Sequence, residues 1–271
     1  MIKLGVNSVL FKDFDFETAA MHIALAGYDG IEIAAIKGMC EHLELERWEE
    51  QSSIIRQIAD KYGLELLSME VASLDEQRLE KAFEAAASMK IPVVNVGPGG
   101  KSEQKEDLVR SIETLDRLSK KAETYGITLC VKAHVGQAIY NTATTMEAIK
   151  GVDSPAFGID MDPSHIYRGN ENPEEEIRKI IGNVKHVHIR DCKGRTQGPG
   201  AIENQACGRG DIELFNYCKA LVDENYSGPV CLEVIGAKEH TLAQVSIIAA
   251  ESYGYLNACL KVLNANQPNL V

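Results

Sequence analysis

Short β-prone runs alternate with longer amphipathic runs along the whole chain, and this alternation constrains the fold more than any other feature. The pattern is typical of parallel strands joined by crossover helices. The predicted strands are Lys3–Asn7, Gly30–Ala34, Glu65–Glu70, Val93–Gly97, Thr128–Ala133, Phe157–Asp160, Val184–Arg190 and Pro229–Glu233. The predicted helices lie near Phe16–Ala26, Glu46–Tyr62, Asp75–Met89, Lys105–Tyr125, Thr144–Lys150, Pro173–Ile181, Glu213–Glu224 and His240–Leu263.

The repetition of the strand–helix unit favours a closed barrel. The fold class is therefore predicted as α/β, a (β/α)8 TIM barrel that forms one domain over residues 1–271. A doubly wound open sheet is the alternative. Such a sheet would usually carry a glycine-rich phosphate loop after its first strand, where Asn7-Ser8-Val9-Leu10 stands in this chain.

Composition narrows the class of partner. A formal net charge of −12 argues against nucleic acid or an anionic membrane surface, so a small molecule is expected. The amino terminus lacks the order of a secretory signal, and no apolar run approaches ~18 residues, so the expected location is cytoplasmic. The 7 cysteines are scattered without a Cys-x-x-Cys pair and are expected to be reduced thiols.

Ionisable side chains alternate with apolar ones at the ends of several predicted strands. They share the face opposite to the apolar residues and are Glu32, Lys132, Asp162, His188 and Glu233. Because side chains alternate between the two faces of a strand, packing of the apolar face on the helices would turn these groups to the barrel axis. Charged groups are rarely tolerated there without a partner or a metal. This convergence predicts an active site at the carboxyl ends of the strands.

Several motifs resemble one known family. They are Gly27–Glu32 at the second strand, Asp160–His165 after the sixth, His186–Asp191 on the seventh and Cys231–Glu233 on the eighth. Jointly and in this order they resemble the xylose isomerase-like TIM-barrel superfamily. That superfamily includes sugar-phosphate isomerases and epimerases, ketose 3-epimerases, inosose dehydratase and endonuclease IV. The resemblance covers the whole barrel, but the acidic charge of the chain makes DNA repair an unfavoured function.

The resemblance implies a divalent metal, with manganese preferred over magnesium or zinc. Epimerases of the family hold it with a Glu, an Asp, a His and a Glu from the last four strands. Asp162, His188 and Glu233 match the last three of these, and His165 matches a histidine that binds substrate. The family uses the carboxylates of the fifth and eighth strands as acid and base beside a metal-polarised carbonyl.

Lys132 departs from the family, because it stands where the fifth-strand Glu is expected. An ammonium ~4 Å from a divalent ion would repel it by about 8 kcal/mol at an effective dielectric of about 20. One possibility is that Lys132 turns away or pairs with Glu32 or Glu70, leaving a metal site that His134 completes. The other is that the ammonium replaces the metal as electrophile.

The leading hypothesis is an isomerase or epimerase of a small sugar, sugar acid or sugar phosphate that works through an enediolate. Its expected catalytic residues are Glu233, Lys132 and His165. Expected substrate contacts are Glu32, Glu70, Arg190 and Arg195, the last in a glycine-rich loop, 193–210, predicted to cover the barrel mouth.

Other functions stay open. One is a lyase or dehydratase acting on a keto-sugar or keto-inositol, including a variant in which Lys132 forms a Schiff base. Another is a non-catalytic barrel that binds a sugar or a partner subunit. The resemblance also implies a homodimer or homotetramer.

Overall fold

Parallel strands form a closed ring in the computed structural model, which describes residues 1–195 and 198–265. The barrel strands are β1 (Lys3–Asn7), β2 (Gly30–Ile36), β3 (Glu65–Glu70), β4 (Val93–Val96), β5 (Thr128–Lys132), β6 (Phe157–Met161), β7 (Val184–Ile189) and β8 (Pro229–Leu232). Each strand pairs in parallel with its neighbour, and β1 pairs with both β2 and β8, which closes the ring. The predicted TIM barrel is confirmed.

Helices surround this ring. The main ones are α1 (Phe16–Ala26), α2 (Trp48–Tyr62), α3 (Glu76–Met89), α4 (Lys105–Thr124), α5 (Thr142–Gly151), α6 (Pro173–Ile180), α7 (Leu214–Asp223) and α8 (Leu242–Val262). Two short helices, Pro163–Arg168 and Ile202–Gln205, follow β6 and β7. None of the helices in the described parts of the chain combines the length and hydrophobicity that a membrane span needs.

Local sequence signals fix the helix ends. The Asp15 carboxylate accepts the Thr18 N–H at the start of α1, and Asp75 does the same for Arg78 at the start of α3. Gly27 follows α1 with φ 102°, and Gly63 follows α2 with φ 67°, both in the left-handed region that glycine adopts most readily.

Among the boundaries that differ from the sequence prediction, two have an identifiable cause. Strand β2 continues to Ile36 because its end pairs in antiparallel fashion with the short strand Cys40–Glu41. Helix α5 begins at Thr142 because the side chain of Asn141 accepts the Thr144 N–H and caps it. Both causes are contacts between neighbouring segments that periodicity alone does not reveal.

Small residues surround Leu67 at the bottom of the barrel. A Cβ on Gly5 would lie 2.7 Å from Leu67 Cδ1, and one on Gly30 would lie 2.6 Å from Leu67 Cγ. Cys231 is paired with Gly5 in the strand register and is also fully buried. Leu67 therefore fills the lower interior, and the polar residues are left to the carboxyl ends of the strands.

Candidate active site

A buried carboxylate, Glu32 on β2, forms the floor of the upper barrel. It accepts hydrogen bonds from Asn7 Nδ2 at 2.9 Å and Asn95 Nδ2 at 2.6 Å, and its Oε2 lies 2.5 Å from His188 Nε2. Burial alone would raise the pKa of Glu32, but the two histidines of β7 outweigh it and lower the pKa. Glu32 is thus an ionised part of the floor and not one of the residues that line the pocket above it.

Asp160 on β6 joins the two histidines of β7. Its Oδ1 lies 2.9 Å from His186 Nδ1, and its Oδ2 lies 2.5 Å from His188 Nδ1. Burial would lower the pKa of His188, yet the carboxylates of Asp160 and Glu32 raise it well above its usual value. His188 is therefore held as a cation between two carboxylates. Asp160 was not predicted as a site residue, although its alternation with Met161 placed it on the interior face.

The Lys132 ammonium at the end of β5 lies between two glutamates. Lys132 Nζ donates to Glu233 Oε1 at 2.7 Å and to Glu70 Oε1 at 3.2 Å, and it lies 3.1 Å from His188 Nδ1. Burial would lower the pKa of Lys132, but Glu233 and Glu70 raise it above its usual value. A Schiff-base nucleophile needs a neutral amine, so these contacts speak against that role. Of the partners considered from sequence, Glu70 is observed and Glu32 is not.

Arg190, directly after β7, is a second buried cation beside the same carboxylate. Its Nη1 lies 3.4 Å from Glu233 Oε2, and its Nη2 donates to Asp162 Oδ2 at 3.1 Å. Arg190 Nε donates to the Ser164 hydroxyl at 2.8 Å. The other oxygen of Asp162 accepts the Ser164 N–H at 2.8 Å and caps the helix Pro163–Arg168. Both oxygens of Asp162 are thus already engaged.

Two histidines stand at the rim, with ring centroids 4.1 Å apart. His165 Nδ1 accepts the Val135 N–H at 3.2 Å, and His165 Nε2 lies 3.1 Å from Arg190 Nη2. Burial, reinforced by Arg190, lowers the pKa of His165 well below its usual value, and burial also lowers that of His134. Both imidazoles are therefore neutral at neutral pH, and both ring nitrogens of His165 already lie against donor groups of the protein.

A pocket of about 160 Å³ opens above these groups at the carboxyl ends of the strands. Its lining residues are Ile36, Met39, Glu70, Ala72, Gly97, Lys132, His134, Gln137, His165, Arg190, Glu233 and Ile235. One wall is ionisable and the opposite wall, from β2 and the segment after β8, is apolar. The sequence did not indicate the apolar wall or Gln137 as parts of the pocket. An apolar residue after a strand does not differ in pattern from a core residue. A wider cleft of about 330 Å³ lies at the amino end of β7, away from these side chains.

Arg195, a predicted substrate contact, lies outside this pocket. Its guanidinium donates to the carbonyl oxygens of Tyr167 at 3.3 Å and Glu171 at 2.9 Å, and to Asn172 Oδ1 at 2.9 Å. It also lies over the Tyr167 ring at 4.0 Å. Arg195 therefore ties its loop to the segment after β6. Residues 196–197 of the predicted mouth loop lie outside the described residues.

Comparison with known proteins supports one family. A family model described as a xylose isomerase-like TIM barrel matches residues 22–253. Inosose dehydratase of Clostridium perfringens (strain 13 / Type A) is 24% identical, over 86% of this chain and 89% of the relative. Inosose dehydratase of Bacillus thuringiensis (strain Al Hakam) is 23% identical, over 71% of this chain and 72% of the relative.

Solved structures share the same barrel. A D-tagatose 3-epimerase-like protein superposes with a TM-score of 0.77 at 22% identity, covering 97% of this chain and 98% of its own. The probable 3-DHS dehydratase AsbF of Bacillus anthracis has a TM-score of 0.75 at 15% identity, covering 98% and 100%. The IOLI protein, solved with a zinc atom, has a TM-score of 0.77 at 20% identity, covering 96% and 99%.

Several buried side chains of this barrel could hold a divalent metal ion. Three groups of buried side chains bring their donor atoms within 4.8 Å of one another: Glu32, His186 and Cys231; Asp160, His186 and His188; and Glu32, Glu70 and His188. The set implied by the family resemblance, Asp162, His188 and Glu233, does not form such a group among the described residues.

Cations account for this difference. Arg190 contacts both Asp162 and Glu233, and Lys132 contacts the second oxygen of Glu233. His188 faces the floor carboxylates instead. The predicted ligands therefore lie in one buried cluster, but they are arranged around positively charged side chains, which a metal ion would repel. His134 does not belong to any of the donor groups within the described residues.

Proposed function

Because the chain belongs to the xylose isomerase-like TIM barrel family, we propose that it is an enzyme that moves a proton on carbon. Its substrate would be a small, uncharged, polyhydroxylated ketone or aldehyde, and the reaction an isomerisation or epimerisation. One observation carries this proposal: Glu70 and Glu233 both contact the Lys132 ammonium at the pocket, and their surroundings shift their pKa values in opposite directions.

The surroundings of Glu70 and Glu233 shift the pKa values of these two carboxyl groups in opposite directions. Burial raises the pKa of Glu70 to about 7 despite the nearby Lys132 ammonium. Burial acts in the same direction on Glu233, but its cationic neighbours, above all Lys132, hold the pKa of Glu233 well below its usual range. Glu233 therefore stays ionised, while Glu70 can gain or lose a proton near neutral pH. Such a pair supplies a base and an acid at the same pH.

Glu233 lines the pocket, and one of its oxygens has no hydrogen bond among the described residues. Its Oε1 accepts from Lys132, whereas its Oε2 is buried and accepts no hydrogen bond from the residues that the structure describes. We assign Oε2 as the atom that takes the proton from the carbon beside the carbonyl. The electron pair moves onto the carbonyl oxygen, where the charges of Lys132 and Arg190 stabilise the enediolate. Protonation of the same carbon from its opposite face by Glu70 gives the epimer. Return of the proton from Glu233 to the former carbonyl carbon, with transfer of the adjacent hydroxyl proton to the other oxygen, gives the isomer.

Pocket size and charge narrow the substrate class. A volume of about 160 Å³ is smaller than the roughly 300 Å³ at which pockets for drug-sized ligands begin, so a single small molecule fits. The cations among the described lining residues, Lys132 and Arg190, are both paired with carboxylates. They have no uncompensated charge for a phosphate, so we favour an unphosphorylated substrate.

Dehydration is the second candidate. The curated relatives named above are inosose dehydratases. The same enediolate can expel a hydroxyl group from the next carbon if an acid protonates it. We assign this role to Glu70, which lines the pocket and has a pKa raised to about 7. Manganese and a homodimeric or homotetrameric state remain sequence predictions.

A deuterium-exchange experiment tests the function. The protein is incubated in deuterated water with ketoses, aldoses, a keto-inositol and their phosphates, and the products are followed by NMR and mass spectrometry. We expect deuterium at a carbon beside the carbonyl of an unphosphorylated compound. Apart from the incorporated deuterium, a product with the formula of the substrate would identify an isomerase or epimerase. A product that has lost one water molecule would identify a dehydratase.

Glu233→Gln is the decisive variant. It should lower kcat/KM by on the order of 10²–10⁴-fold, the usual contribution of a general base. Glu113→Gln makes the same change at an exposed position of α4 and should leave the rate unaltered. Absence of exchange with every compound, or full activity of Glu233→Gln, would contradict the proposal.

A further inference from the structure

We propose that Lys132 and Arg190 take the place of a divalent metal ion in the pocket, so that this chain stabilises the enediolate with fixed side-chain charges. The inference rests on the proposed function for its chemistry. The substitution of side chains for an ion can nevertheless be tested without turnover. It changes the cofactor expected for this barrel and therefore what must be added to an assay.

The position of Lys132 is the first observation. Its ammonium contacts Glu233 at 2.7 Å, Glu70 at 3.2 Å and His188 at 3.1 Å. Glu233 and His188 are two of the three residues expected to bind the metal. Lys132 Nζ thus lies among oxygen and nitrogen atoms from β3, β7 and the segment after β8. A metal ion bound to the same atoms would be repelled by the positive charge of the ammonium.

Arg190 provides the second positive charge. It lies beside the remaining expected ligand, with Nη2 at 3.1 Å from Asp162 Oδ2, and reaches the free oxygen of Glu233 at 3.4 Å. Its Nε is fixed by Ser164 at 2.8 Å, and the residue is only 2% exposed. The guanidinium is therefore anchored and cannot leave without breaking several buried contacts. Together the two residues bring the two positive charges that a divalent ion would bring.

The donor atoms are engaged as well. Each ring nitrogen of His188 lies 2.5 Å from a carboxylate oxygen, one of Glu32 and one of Asp160. A metal ligand must offer a free lone pair, and His188 would have to give up one of these contacts to do so. Both oxygens of Asp162 are likewise engaged, by Ser164 and Arg190.

Metal content and thermal stability test this inference. The purified wild-type protein is analysed for manganese, zinc and magnesium, treated with EDTA, and melted with and without each metal chloride. We expect far less than stoichiometric metal, no rise in Tm on metal addition, and unchanged turnover after EDTA. Lys132→Glu removes the ammonium and adds a carboxylate. It should take up stoichiometric manganese or zinc and show a Tm that rises with metal.

Lys185→Glu is the matched control, because it makes the same charge change at an exposed position of β7. It should behave like the wild type. If Lys132→Glu does not fold, Lys132→Gln replaces it, since its amide oxygen can ligate a metal and it lacks the positive charge. Stoichiometric metal in the wild type, or a metal-dependent rise in Tm as large as that of the variant, would overturn the inference. If no compound reacts but the wild type still rejects metal, the proposed function fails and the charge substitution stands.

Discussion

Glu70 shows how strongly surroundings can change one side chain. Its Oε2 accepts from Asn7 at 2.5 Å and its Oε1 from Lys132 at 3.2 Å, while Glu233, Glu32 and His188 add charge nearby. Burial dominates this mixture and raises its pKa to about 7. A group with this pKa can exchange a proton in the neutral range, which makes it the natural acid of the pair.

The pH dependence of the reaction should report Glu70. Activity that needs its proton is expected to fall as the pH rises through about 7, because the carboxyl group then ionises. Glu70→Gln should react more slowly and lose this falling limb. Profiles of kcat/KM against pH for both proteins provide the measurement. The same falling limb in the variant would assign it to another group.

Parity along the strands was enough to predict which residues face the interior, including Lys132, His188 and Glu233. It was not enough to predict their partners. Lys132 pairs with Glu70 and Glu233 because of side-chain rotamers and the stagger between β3, β5 and β8, neither of which a single sequence contains. The role of Arg190 was underestimated for the same reason, since its contact with Asp162 joins two separate strand ends.

At the level of elements, the order and type of the helices and strands follow from the periodicity, and most boundaries lie close to the predicted ones. The periodicity does not indicate where the backbones of two strands approach each other closely. Strand β2 passes so near β3 that a Cβ on Gly30 would lie 2.5 Å from the carbonyl oxygen of Glu65. That oxygen belongs to the backbone and cannot move aside alone, so the position requires glycine.

Gly30→Ala should therefore destabilise the protein by about 1–3 kcal/mol, the usual cost of overpacking a well-packed interior. Denaturant unfolding followed by circular dichroism measures it. Gly182→Ala is the control, because a Cβ there would meet nothing within 4 Å. Equal free energies of unfolding for the two variants would show that the strands can separate at no cost.

For the whole molecule, the buried ionisable cluster couples stability to pH. The pKa of Glu70 is raised from 4.5 to about 7, so the folded state binds its proton more tightly than the unfolded chain does. This stabilisation is fully present below about pH 4.5 and is lost as the pH rises through about 7.

Over that range Glu70 should reduce the free energy of unfolding by on the order of 3 kcal/mol, at about 1.4 kcal/mol for each pKa unit. Glu70→Gln should show a weaker decline over the same interval. Urea unfolding at a series of pH values compares the two proteins. An equally steep decline in Glu70→Gln would place the proton linkage elsewhere in the cluster.

Leu67 packs against the positions of Gly5 and Gly30 and plugs the lower end of the barrel. Reactant and product are therefore expected to enter and leave at the carboxyl ends of the strands, where the pocket opens. A product molecule that has not yet left then blocks the next substrate molecule. We expect this competition to appear as product inhibition in initial-rate measurements.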